Sequence, residues 1–253
     1  MQPKDRILVA LDTRKIEDLV MYAKTLGPYV GGFKIGLECL LSIGLKPALN
    51  AMRGYGPATE NIFVDAKIHD IPNTMAGAVR AVSEFPQVKF VNVHASAGTA
   101  GMRAAAEAKG RMKLLAVTVL TSMSPEDAAP IYGNASPMRA GTDIPMTALK
   151  FMLMAKESGC DGVVCSPKEV ERLRMNLPQE KTDTEFAFVT PGVRPKWSAK
   201  NDQERVTTPA EAVKNGSTYL VIGRPILAPP EKVGSPVAAA MLIAEEIAEA
   251  LRA

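Results

Sequence analysis

Short apolar runs rich in β-branched residues recur along the whole chain, at 7–12, 32–36, 62–67, 90–94, 114–120, 162–166, 186–191 and 219–223. Each ends in polar or glycine-bearing residues. Between them lie segments whose apolar positions repeat every three to four residues, at 16–26, 75–84, 102–108, 146–157 and 170–173, with an alanine-rich stretch at 236–251 closing the series. Strands that alternate with helices predict a parallel sheet, because parallel neighbours need a crossover between them. Eight such units in 253 residues match the size of a closed (β/α)8 barrel, a TIM-barrel fold spanning 1–253 as a single domain. An open doubly wound sheet is the competing arrangement. It would normally carry a glycine-rich dinucleotide loop after the first strand, where this chain has Asp12-Thr13-Arg14.

Two connections are unusually long. Residues 121–145 are rich in Pro, Gly and Ser, and residues 192–208 are polar with several Lys and Arg. Loops of that length in a compact domain are usually functional.

Composition narrows the picture. Hydrophobic residues at 47% and charged residues at 23% are those of an ordinary globular protein, and a formal charge of +3 is too weak for a nucleic-acid coat or a polybasic membrane anchor. No apolar run approaches the ~18 residues that span a bilayer. The first apolar stretch, 7–11, is too short for a signal-peptide core, so the expectation is a mature chain that begins here and works in the cytoplasm. Cys39, Cys160 and Cys165 lack metal-ligand spacing and read as reduced thiols, and His69 and His94 are too few for a histidine-rich metal site.

In a barrel of this kind the chemistry sits at the carboxyl ends of the strands. This chain puts Asp12, Lys34, Asp65, Lys67, His94, Thr118, Thr121, Ser166, Thr190, Arg194 and Arg224 there. Asp65 and Lys67 are two apart, which on an extended strand end sends both to one face. Such a pair is either a structural ion pair or a positioned proton donor beside a carboxylate. Asp70 lies beyond the strand, where it either caps the helix opened by Pro72 or faces something outside its own pocket. Lys34, embedded in Gly-Phe-Lys-Ile-Gly, needs a carboxylate if it is buried. Arg194 and Arg224 each follow a strand beside Gly and Pro, in the loops after strands seven and eight that commonly hold a phosphate in these barrels. His94 reads as a satisfied core residue, and Trp197 as a lid contact or an exposed ring.

These residues together resemble the orotidine 5′-phosphate decarboxylase family over essentially the whole chain. The resemblance rests on LVALD ending at Asp12, FKIG around Lys34, D-x-K-x-x-D-I-P-N-T at 65–74, VTVLTS at 117–122, TPGVRP at 190–195, DQ at 202–203 and VIGRPI at 221–226. It implies a cofactor-independent decarboxylation of orotidine 5′-phosphate to UMP and CO2, without a metal. Asp12 and Lys34 would contact the ribose, Asp65 would face the substrate carboxylate, and Lys67 would protonate C6. Asp70, with Ile71 and Thr74, would enter from the partner subunit of a homodimer. Thr121 would lie beside the pyrimidine, and Arg194, Gln203, Gly223 and Arg224 would bind the phosphate. The central D-x-K motif is shared with related sugar-phosphate enzymes, so the alternatives are a Mg2+-dependent keto-sugar-phosphate decarboxylase or an epimerase. A non-catalytic binding protein is a third class, disfavoured because it has no need of alternating charges in a pocket.

Overall fold

The strands sort their side chains two ways, as a period of two requires. A computed structural model of the chain describes residues 1–133, 143–177, 186–198 and 207–252. In it β1 (Ile7–Leu11), β2 (Gly32–Gly36), β3 (Ile62–Ile68), β4 (Val88–His94), β5 (Lys113–Val117), β6 (Gly162–Val164), β7 (Ala187–Thr190) and β8 (Tyr219–Ile222) pair in parallel, in chain order, and close on themselves. The closed barrel excludes the open sheet. On β1, Leu8 and Ala10 face a small inner core with Phe63, Phe90, Leu115 and Val164. Ile7, Val9 and Leu11 join the larger outer core between strands and helices. Most strand positions on both faces are thus covered, which explains the near-continuous apolar runs.

The helix Ile16–Leu26 has the bounds the pattern predicts. The helices Pro72–Ser83 and Gly98–Ala108 begin earlier than their apolar periodicity, since Pro72 fits a first turn whose N–H groups have no intrahelical partner. The short helices Leu37–Ser42, Leu45–Met52 and Pro209–Lys214 carry too few turns to show a period and were missed by it. The supposed loop 121–145 also holds a helix, Pro125–Tyr132. Its start is written in the sequence as a capping box: the Asp127 N–H donates to Ser124 Oγ at 3.1 Å, and the Asp127 carboxylate accepts from the Ser124 N–H at 3.4 Å. Residues 134–142 of that segment lie outside the described residues. Among the described residues no helix is long and apolar enough to cross a membrane.

Candidate active site

The strand register builds the site. Lys34 on β2 is aligned with Ala10 of β1 and Phe63 of β3, both inward-facing, so it too points into the barrel. One pleat higher, Gly36 is aligned with Asp65 on β3, and Asp12 leaves the end of β1 at the same level. The Lys34 side chain rises through the space that Gly36 leaves empty. A Cβ at Gly36 would stand 2.5 Å from Asp12 Oδ1 and 2.8 Å from Lys34 Nζ, so any side chain there displaces the pair. Lys34, only 7% exposed, donates to Asp12 Oδ1 at 2.9 Å and lies 3.5 Å from Asp65 Oδ2. A buried ammonium without such carboxylates would cost several kcal/mol. The expectation that Lys34 needs an acid is met twice.

Lys67 reaches Asp65 by a route the sequence did not disclose. The extended alternation expected of 65–67 is absent, because β3 bulges there: Val64 pairs with Val91 but Ile68 pairs with Val93. Lys67 has φ +48, a left-handed backbone that costs a non-glycine residue about 1 kcal/mol. With that turn its Nζ donates to Asp65 Oδ1 at 2.7 Å. The bulge strips Lys67 of its regular ladder partner, and the fully buried Asn92 of β4 replaces it. Its Oδ1 accepts the Lys67 N–H at 2.7 Å, and its Nδ2 donates to Asp65 Oδ1, also at 2.7 Å. Asn92 escaped the sequence reading as one polar residue inside an apolar strand. The available signal was that a buried amide must find partners for its N–H and C=O groups.

The result is an alternating row, Asp12, Lys34, Asp65, Lys67. Burial alone would raise the Asp65 pKa, but the charges of Lys34 and Lys67 and the hydrogen bonds from Lys67 and Asn92 outweigh it and hold the carboxyl below its ordinary range. Asp65 therefore stays ionised through neutral pH. It lies where two cavities meet. One, of about 290 Å³, is lined by Asp12, Lys34, Gly192, Arg194, Gly223 and Arg224. The other, of about 170 Å³, is lined by Lys67, Phe63, Val119, Thr121, Val164 and Cys165, mostly apolar groups. Gly192 has φ +78, which glycine alone takes without strain, and it turns the chain so that Arg194 faces the first cavity. The predicted anion loops after β7 and β8 thus converge.

Other candidates fall elsewhere. Thr118, Ser166 and Thr190 are buried and line neither cavity; Thr118 donates to the Val164 carbonyl, and Thr190 to Ser217 Oγ. Asp70 does not cap the helix Pro72–Ser83, whose start has no side-chain cap; it accepts the Ile71 N–H instead. Asp70, Ile71 and Thr74 are exposed and outside both cavities. His94 is buried with Nδ1 2.8 Å from Ser96 Oγ and stacks on His69, and burial followed by the charges of His69 and Lys67 lowers its pKa. Trp197 is half-buried against the outer core rather than an exposed ring. All three cysteines are free and buried; burial, then Asp161, pushes Cys160 up to about 12, and burial, then Glu169, pushes Cys165 well up. Gln203 lies outside the described residues.

A closed parallel barrel with ionic groups converging at the carboxyl ends of its strands defines the class of (β/α)8 enzymes with a small-molecule site at that face. Residues 5–239 match the family described as Orotidine 5′-phosphate decarboxylase / HUMPS family. The orotidine 5′-phosphate decarboxylase of Moorella thermoacetica is 42% identical over 98% of this chain and 94% of its own length. That of Syntrophomonas wolfei is 40% identical over 98% of this chain and 100% of its own. The crystal structure of the Lactobacillus acidophilus enzyme superposes with a TM-score of 0.74 at 32% identity, covering 95% of this chain and 98% of that one. The chain belongs to the orotidine 5′-phosphate decarboxylase / HUMPS family.

Proposed function

We propose that the chain decarboxylates orotidine 5′-phosphate to UMP and CO2. The observation that carries this reading is Lys67 Nζ held 2.7 Å from Asp65 at the junction of a polar and an apolar cavity. The apolar cavity, with Thr121 on its wall, takes the pyrimidine; the polar one takes ribose at Asp12 and Lys34 and phosphate at Arg194, Gly223 and Arg224. Loss of CO2 leaves an electron pair on C6, at a carbon with no adjacent electron sink. The ammonium of Lys67 stabilises that charge and delivers its proton to C6 beside a mostly apolar cavity wall, where a preorganised cation acts most strongly. Asp65 faces the leaving carboxylate and holds Lys67 in place. The phosphate contacts are remote from the reacting bond, so their binding energy organises the pocket for the transition state.

Relatives near 40% identity named orotidine 5′-phosphate decarboxylase favour this activity over the Mg2+-dependent alternative. So does the environment of Asp65, whose oxygens lie against Lys67, Asn92 and Lys34, cationic or amide donors that bind no Mg2+ through nitrogen. A spectrophotometric assay with and without EDTA tests the reading. Turnover of orotidine 5′-phosphate is expected to be unchanged by the chelator. Activity abolished by EDTA and restored by Mg2+ would favour the alternative.

The reading includes a homodimer in which Asp70, Ile71 and Thr74 complete the partner's site. Ile71, 66% exposed beside Asp70, is an apolar side chain suited to burial against a second copy. Mixing inactive Lys67→Ala and Asp70→Ala subunits should restore about a quarter of wild-type activity, because half the dimers are mixed and each then holds one intact site. No recovery on mixing, with both variants dimeric, would rule out shared sites. The same reading has the enzyme work in the cytoplasm, a reducing compartment compatible with three buried, unpaired thiols.

A further inference from the structure

We infer that Asn92 is a positioning residue for the Lys67–Asp65 pair, an inference that rests on the proposed role of Lys67. Three features meet at this side chain. Its carbonyl oxygen takes the N–H of the residue with left-handed backbone, its amide donates to the carboxylate oxygen that Lys67 also binds, and it is wholly shielded from solvent. Asn92, Asp65 and Lys67 therefore close a ring through one backbone and two side-chain bonds. The bulge in β3 removes the ladder bond that would normally fix the backbone at Lys67. The Asn92 amide supplies the missing acceptor from the neighbouring strand.

The chemistry requires an amide at this position. Lys67 N–H needs an acceptor and Asp65 Oδ1, as a carboxylate, needs a donor; Asn offers one of each on a single rigid plane. Aspartate keeps the acceptor but brings a second carboxylate against Asp65, and leucine keeps the volume but offers neither. Without Asn92 the left-handed turn loses a bond that offsets its strain, and Lys67 Nζ moves relative to the substrate carbon. A displacement of about 1 Å in a reacting group costs on the order of 10²-fold in rate. Asp65 also loses one of the donors that depress its pKa, so its carboxyl titrates at higher pH than in the wild type.

The experiment compares wild type, Asn92→Leu and Asn92→Asp by kcat and KM for orotidine 5′-phosphate, thermal melting, and 13C NMR titration of the Asp65 carboxyl in the unliganded enzyme. For Asn92→Leu the expected result is a fall in kcat of roughly 10–10²-fold with KM changed less than about threefold. The Asp65 titration moves upward. Asn92→Asp does not restore kcat, and it also raises the Asp65 titration. If Leu does not fold, the isosteric Asp variant decides alone. Unchanged kcat and an unmoved Asp65 titration in a folded variant would overturn the inference, as would a lowered melting temperature with kcat and titration both unaltered. Wild-type enzyme without turnover would sink the decarboxylase reading instead, and the Asp65 titration would still decide the role of Asn92.

Discussion

Lys67→Ala is expected to abolish CO2 release almost completely, with a loss in kcat of more than about 10³-fold. Removing one preorganised electrostatic donor typically costs about 10²–10³ in rate, and Lys67 combines that role with delivery of the proton. The charge on C6 would then meet only water, which must be admitted and reoriented. Deleting the ammonium also removes one of the two cations beside Asp65, leaving Lys34 at 3.5 Å. The Asp65 carboxyl should titrate higher in the variant. Its folded-state pKa lies below the ordinary value, so the stability it contributes is present above the ordinary value and lost as pH falls through the folded one. Raising the folded pKa shrinks that contribution, and the variant should unfold at a less acidic pH than wild type. Binding of UMP should persist, because ribose and phosphate contacts remain. A Lys67→Ala enzyme with near-wild-type CO2 release would refute the proposed mechanism.

Loss of the phosphate contacts should have the second largest effect. Arg194 and Arg224 face one cavity from the connections that follow β7 and β8, and each charge-assisted contact is worth about 1.5–3 kcal/mol. Arg224→Ala should therefore lower kcat/KM by roughly 10–10²-fold, and orotidine without its phosphate by roughly 10²–10⁴-fold. The informative quantity is kcat at saturation. If phosphate binding only anchors the substrate, kcat stays constant and KM alone rises. If it also organises the pocket, kcat falls for the truncated substrate, and inorganic phosphite added in trans should recover part of it. A saturating kcat equal to that of the full substrate would remove the organising role while leaving the anchoring one.

Much of this site is legible in the sequence. Lys34 is announced by its setting: a cation inside an apolar run needs an acid, and the acids available at strand ends are few. Arg194 and Arg224 are announced by recurrence, an arginine followed by Pro and closely preceded by Gly after each of the last two strands. Asn92 and the bulge were not legible, because both depend on residues 25 or more positions apart meeting across a strand pair. Thr118, Ser166 and Thr190 misled for a related reason: a polar residue at a strand end faces either the pocket or the helical layer, and the register chooses which. The partial burial of Trp197 was hidden for a different reason: a polar segment conceals a ring that packs inward.

The order of apolar runs and helical segments, and the kinds of charge at the strand ends, were determined by the sequence alone, since both follow from local periodicity and local composition. The tertiary structure decided which charges touch. Closing the barrel set Asp12, Gly36 and Asp65 at one level, gave the Lys34 ammonium the space beside a glycine, and turned Lys67 through a left-handed residue onto Asp65. Those contacts are properties of strand register and closure, long-range terms that no stretch of neighbouring residues encodes by itself.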